Sequence, residues 1–198
     1  MSFIAVRQFE SEIAKWFGAP YAVAVDCCTH GLELALRYTE TDRITVPEHT
    51  YLSVPMLADK LEVQRLWKNE QWEDYYYITS NIIDAAVYWK ENSYIDNTFM
   101  VLSFQFKKHL NLGRGGMILT DNEKAAIRLR SMAYDGRLNT MAPWDEQDIT
   151  EVGYHYYMTP ETAIKGLADL EDAKQREPKQ WTWLSYPNIR GFKVFSNG

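Results

Sequence analysis

Cysteine is nearly absent: the chain has two, Cys27 and Cys28, side by side. Adjacent cysteines do not offer the Cα separation and Cβ geometry of an ordinary structural disulfide. Free thiols suit a reducing compartment, so the expected location is cytoplasmic. Long hydrophobic runs are also missing, and none approaches the roughly 20 residues needed to cross a bilayer. The opening stretch, MSFIAVRQFESEIAKWFG, lacks the basic-then-apolar layout of a secretory leader. No membrane partner is therefore expected. Positive charge is scarce, with 21 Lys and Arg against 27 Asp and Glu, a net charge of −6 and a pI near 5.3. That balance leaves no electrostatic footprint for nucleic acid. Internal repeats and low-complexity segments are lacking as well.

What is present is apolar and aromatic. The 198 residues are 46% hydrophobic and 14% aromatic, enough for one sizeable core or two small ones. Residues 3–17 carry Ile4, Val6, Phe9, Ile13 and Trp16 at helical spacing, and Gly18 supplies a stop. Tyr21–Val25 reads as a strand covered on both faces. It leads through Cys27, Cys28, Thr29, His30 and Gly31 into the helical run LELALRY. Further strands are expected at Ile44–Val46, Leu61–Trp67, Asn81–Ala86, Phe99–Phe104 and Gly116–Thr120. A helix is expected over 51–60, another capped by Asp121 and stopped by Gly136, and a third starting at Thr159-Pro160 and ending before Pro178. Residues 69–77 read as irregular or an edge, and 139–148 as a loop. The tail from Lys179 is aromatic and turn-rich and has no clear period. Short apolar strands alternating with helices give an α/β fold class.

In an open α/β sheet, ligands gather outside the carboxyl ends of the strands. Four points meet that rule: the turn after YAVAV, the turn after ITV, Asp84 closing NIID, and Ser103–Lys108 after FMVLS. The first offers free N–H groups at a helix start beside the Thr29 hydroxyl, which suits a phosphate; a plain N-cap role for Thr29 is the other reading. Asp84, buried after an apolar strand, needs a cationic partner, and a structural salt bridge would satisfy it. The stretch SFQFKKHLNLGRGG holds Lys107 and Lys108 ahead of a glycine cluster. It reads either as a basic surface loop or as the seat of a nucleophilic amine. Cys27, Cys28, His30 and His49 match no zinc spacing, so no metal is expected. An anion site, an acid and a lysine together are what pyridoxal 5'-phosphate requires.

The order of these pieces resembles the DegT/DnrJ/StrS-type sugar aminotransferases, which are fold type I pyridoxal phosphate enzymes. The likeness runs through VRQFESEIAKWFGAPYAVAV, DCCTHGLELALR, TVPEHTY, IIDAA, SFQFKKHLNLGRGGMILTDNEKAAIRLR and GYHYYMTPETAIKGLADLE. It implies a three-layer α/β/α domain over residues 1–178 with a mostly parallel sheet. Residues 179–198 would form a short tail in place of the family's C-terminal domain. It also implies the Schiff-base amine on Lys108, with Ser103, Thr29, Cys28 and the His30 backbone at the phosphate. Tyr51 would stack on the cofactor ring, and Asp84 would pair with the ring nitrogen. His155 would reach the cofactor of the neighbouring subunit, which implies a homodimer with shared sites. Lys107 would help lower the Lys108 pKa, and Gly113, Gly115 and Gly116 would allow a tight turn and close backbone approach. The expected reaction is amino transfer from a small-molecule donor to a keto acceptor of the nucleotide-sugar class.

The sequence departs from the family pattern at several points. Cys28 replaces a glycine of the phosphate turn, Val87 a glutamine or histidine at the cofactor's phenolic oxygen, Arg114 an acid and Tyr157 an arginine. These departures keep two further readings open. One is a reduced relative that binds the cofactor, or keeps only the fold, without transaminating. The other is an unrelated binding protein in which Lys108 and Asp84 form an ion pair.

Overall fold

The computed structural model describes residues 3–138 and 142–195. The first helix, α1 (Ile4–Phe17), buries Val6, Phe9, Ile13 and Phe17, and closes on Gly18 in the left-handed region. Strand β1 (Tyr21–Val25) follows, then α2 (Cys28–Tyr38), β2 (Arg43–Pro47), α3 (Ser53–Leu61) and β3 (Gln64–Lys68). β4 (Tyr76–Tyr77), β5 (Ile82–Asp84), β6 (Phe99–Ser103) and β7 (Gly116–Thr120) complete the strands. α4 (Glu123–Ala133) and α5 (Pro160–Gln175) are the last long helices, and the tail holds only short 3-10 turns.

Period-2 alternation divides the strands between two cores. Val23, Val25, Val101, Ile118 and Ile82 face the side covered by α2, α3 and α4. Ala22, Ala24, Met100, Leu102, Met117 and Ile83 face α1 and α5. The result is three layers, helices over both faces of a sheet.

The sheet is mixed, and here the expected mostly parallel arrangement needs correction. Its order is β1-β7-β6-β5-β4, with β5 and β6 parallel but β7 antiparallel to both of its neighbours and β4 antiparallel to β5. The cause lies in the connections. A parallel pair needs a crossover, whereas β6 reaches β7 through a loop that turns back on itself. Phe104 N–H donates to the Gly115 carbonyl at 2.9 Å and Phe106 N–H to Gly113 at 3.2 Å, closing that loop. β4 is reversed by the tight turn in which Ile78 N–H meets the Ile82 carbonyl at 2.9 Å. β2 and β3 form a separate parallel pair, tied to the turn after β4 by Thr45 N–H on the Ile78 carbonyl at 2.8 Å.

Smaller corrections have local causes. α4 is capped by Asn122, whose side chain accepts from Ala125 N–H; Asp121 instead accepts from Asn97 N–H at 2.8 Å. The same helix ends at Ala133, before Gly136, whose N–H returns to the Ser131 carbonyl at 2.9 Å. Thr159 caps α5 ahead of Pro160, as its sequence suggests. The 69–77 segment ends in the edge strand β4. Part of the 139–148 loop (139–141) lies outside the described residues, and Trp144–Glu146 within it forms a 3-10 turn.

Because β1, β5 and β6 share a direction, their carboxyl ends open on one edge. β7 begins at that edge with Gly116, which pairs with both Val25 and Ser103. A Cβ at Gly116 would lie 2.6 Å from the Cys27 carbonyl carbon and from the Cys28 nitrogen, so the strand passes directly under the α2 turn. Gly116→Ala is expected to lower unfolding stability by about 2 kcal/mol, because rigid backbone would have to move. A urea melt of the variant measures this; an unchanged midpoint would contradict the close approach.

Candidate functional site

Asp84 stands at the end of β5 with only 5% of its surface exposed. Its Oδ1 accepts the Ala86 N–H at 3.0 Å and faces the Cys28 thiol, and its Oδ2 accepts the Tyr76 hydroxyl. The Tyr76 oxygen is also hydrogen-bonded to Thr50. Burial raises the Asp84 carboxyl above the usual range, opposed by the Tyr76 and Ala86 hydrogen bonds and by the charge of Lys108. Burial likewise pushes the Cys28 thiol well up, so it stays a neutral donor.

Lys108 sits in the loop after β6, which is anchored by buried Phe104, Leu110 and Leu112. Its backbone N–H closes a turn onto the Gln105 carbonyl at 2.8 Å. The Nζ donates to the Tyr186 hydroxyl at 3.1 Å, with the Trp181 ring centroid 5.2 Å away. Burial lowers the Lys108 amine below its ordinary value while Asp84 works against that shift. The charge of Lys107 adds to the lowering as the smallest contribution. Lys107 itself is exposed, so of the two lysines Lys108 is the one in the site. A desolvated amine of lowered pKa is the form in which lysine acts as a nucleophile.

The third component is the first turn of α2, whose leading N–H groups have no intrahelical partner. Cys27 occupies the N-cap position without a side-chain cap. Thr29 is not a cap; its hydroxyl shares a hydrogen bond with Ser53 at 2.7 Å. His30 Nδ1 donates to Asp26 at 2.6 Å and its ring stacks on Tyr156 with centroids 3.7 Å apart. Arg114 reaches Asp26 from the other side at 2.7 Å. Burial pulls the His30 pKa down, but hydrogen bonds to Asp26 and Cys27 outweigh it and raise the group to about 9. His30 and Arg114 thus place positive charge beside the helix start, an arrangement suited to an anion.

The remaining expected residues are placed as follows. Ser103 is half-buried at the end of β6, where its hydroxyl meets the Gln105 N–H at 3.4 Å. Tyr51 lies just ahead of α3 and is 59% exposed. His155 is exposed and hydrogen-bonded to Asp135 at 3.2 Å, away from Lys108. Val87 packs against the core and offers no hydrogen bond. The Cys27, Cys28, His30 and His49 set is not assembled, since Cys28 turns to Asp84 and His49 bonds the Tyr186 carbonyl. Among the described residues Asp26, Cys27 and His30 bring ligand atoms within 4.8 Å of one another, but the guanidinium on Asp26 opposes a cation there. Tyr76, Trp181 and Tyr186 escaped the sequence reading. Asp26 had a signal, an acid four residues before His30 at the helix start.

The His30–Asp26 pair makes stability depend on pH. A folded pKa of about 9 against an ordinary 6.5 means the stabilisation is complete below pH 6.5 and is lost as pH rises through 9. The loss is expected to be about 1–3 kcal/mol, allowing for partial exposure. Urea melts between pH 6 and 10 should show this slope in the native chain and a flatter one in His30→Gln.

The chain is 24% identical over 221 residues to MJ1066, an uncharacterised protein of Methanocaldococcus jannaschii, covering 84% of this chain and 57% of that one. Its fold matches AtS13 from Actinomadura melliaura with a TM-score of 0.77 at 21% identity, covering 88% of this chain and 61% of AtS13. It also matches DesI, solved with its TDP-sugar product, with a TM-score of 0.68 at 19% identity, covering 87% of this chain and 54% of DesI. The chain therefore spans less than two thirds of each of these proteins. The sequence profile of the DegT/DnrJ/EryC1/StrS aminotransferase family matches residues 4–88 and 94–186, and the chain belongs to that family.

Proposed function

We propose that this chain is a pyridoxal 5'-phosphate-dependent aminotransferase of the sugar-modifying type, with Lys108 as the cofactor-holding amine. The observation that carries the reading is the convergence, on one sheet edge, of a half-buried lysine, a buried carboxylate and an open helix start. The donor set fits the group. Lys108 offers an amine of lowered pKa, Asp84 a carboxylate out of water, and the α2 turn with Thr29, His30 and Ser103 an anion site. Tyr51, exposed at the mouth, is the aromatic surface available for stacking.

When bound, the cofactor supplies an electron sink for the pair left as a substrate C–H proton departs. The protein's part is proton handling and positioning. Asp84, fixed by Ala86 N–H, holds negative charge at a defined point in a dry environment, where it would help the cofactor's ring nitrogen keep its proton. Lys108 Nζ, once free, moves a proton as general base and then acid, a role its lowered pKa favours. The acceptor class we put forward is a keto-sugar nucleotide, supported by family membership and by the TDP-sugar product of DesI. A small-molecule amino donor completes the exchange. A homodimer in the cytoplasm, with His155 reaching across to its neighbour, belongs to the same proposal. His155 is 70% exposed at its side chain, which leaves it available for such a contact.

A second reading has an observation of its own: Val87 gives no polar contact at the position where the family resemblance implies one. On that reading the protein binds the cofactor without transaminating.

Titrating the purified chain with pyridoxal 5'-phosphate is expected to produce a visible absorbance band, and Lys108→Ala to abolish it. Asp84→Asn should keep the band while slowing its conversion by glutamate on the order of a hundredfold. A wild-type band that no amino donor converts would leave the second reading standing. Absence of any band would remove both.

A further inference from the structure

We propose that residues Trp181–Tyr186 form a built-in plug over the candidate site, seated on Lys108 and released when a cofactor loads. The proposal rests on the reading of Lys108 and Asp84 as cofactor-binding groups. The Tyr186 hydroxyl accepts from Lys108 Nζ at 3.1 Å, and the Trp181 ring lies 5.2 Å from the same ammonium. The Tyr186 phenol is half-buried; its pKa is driven up by burial and by the nearby carboxylate of Asp84. Tyr186 thus covers the amine directly, with the Trp181 ring beside it. Its ring also contacts Trp72, and Trp72 contacts Tyr76, the residue already bonded to Asp84 Oδ2.

The plug is attached by rim hydrogen bonds and by its aromatic rings, since Trp181, Trp183 and Tyr186 pack, partly buried, against the core. Trp183 N–H donates to the Trp72 carbonyl and Asp74 N–H to the Trp181 carbonyl, each at 2.9 Å. His49 Nδ1 donates to the Tyr186 carbonyl at 2.8 Å. Leu184, at the middle of the plug, is 70% exposed, whereas Ile189 and Phe195 beyond it are buried. Release therefore breaks these rim hydrogen bonds and the ring contacts of Trp183 with His49 and of Tyr186 with Trp72, and swings 181–186 about a fixed anchor at Ile189. The rim bonds are traded for water at little net cost, and the bound cofactor would offset the exposure of the three rings.

Two measurements on the full chain test this. Reductive methylation by formaldehyde, read by mass spectrometry, reports Lys108 accessibility without any cofactor, with exposed Lys107 as reference. Tyr186→Ala is expected to raise the Lys108 rate on the order of tenfold relative to Lys107, and Tyr186→Phe by a smaller factor. Equal rates in all three proteins would overturn the plug. Hydrogen exchange of the wild type with saturating pyridoxal 5'-phosphate gives the second readout. The amides of Asp74 and Trp183 are expected to lose protection while that of Ile189 keeps it. If the absorbance band forms and all three stay protected, the plug is wrong and the functional reading survives. If no protein gains the band yet Tyr186→Ala still exposes Lys108, the plug stands as a cover and the functional reading falls. Should Tyr186→Ala not fold, Tyr186→Phe and the wild-type exchange decide the matter.

Discussion

Asp84 ends β5 in a setting where an ion is expensive. Both carboxylate oxygens are out of water, one held by the Ala86 N–H and facing the Cys28 thiol, the other taking the Tyr76 hydroxyl. An isolated carboxylate in such a place would neutralise itself, and its raised pKa shows burial pressing that way. What keeps the charge tenable is the arrangement of donors around it, together with the ammonium of Lys108 nearby. Removing a buried partner of this kind costs more than the pair contributes, because the survivor is stranded. The surrounding residues therefore serve the carboxylate: Thr50 orients Tyr76, and Cys28 stays protonated because burial and Asp84 disfavour its thiolate.

The sheet supplies the edge on which this carboxylate meets the lysine. β5 and β6 are parallel, so Asp84, paired with Val101, and Ser103, two residues further on, finish at the same edge of the sheet, and the chain after Ser103 runs directly into the Lys108 loop. The antiparallel return of β7 brings Gly116 back to that level, wedged between β6 and β1. Its missing Cβ lets the strand pass under the backbone of Cys27 and Cys28. Lysine loop, acid and helix start are thereby held by one set of backbone hydrogen bonds. The mixed topology is part of the site's construction.

Much of this was legible in the sequence, and the reason is local. YAVAV and GMILT are strands because apolar β-formers are bounded by turn residues, and Thr159-Pro160 starts a helix because a capping hydroxyl precedes a fixed φ. The lysine loop and Asp84 could be found from the strand ends that carry them. Strand direction could not be found this way: whether β6 reaches β7 by a crossover or a hairpin depends on hydrogen bonds such as Phe104 to Gly115, which leave no periodicity. The tail was illegible for a related reason. Trp181, Trp183 and Tyr186 follow neither a 3.6 nor a 2.0 repeat, because they pack individually against Trp72, His49 and Lys108.

Cys28 shows how a departure from a family pattern is absorbed. A side chain in place of glycine at a phosphate turn suggests crowding of the very backbone that must approach an anion. The Cys28 side chain points the other way, into the core, with its sulfur 3.9 Å from Asp84 Oδ1 and 3.7 Å from the Val101 carbonyl. The outer side of the turn is left to backbone N–H groups and to Thr29, flanked by His30 and Arg114. Gly116 passes close beneath the same backbone. The substitution therefore changes the surroundings of the buried carboxylate more than those of the anion site. It adds a neutral donor to Asp84 and leaves the helix start open.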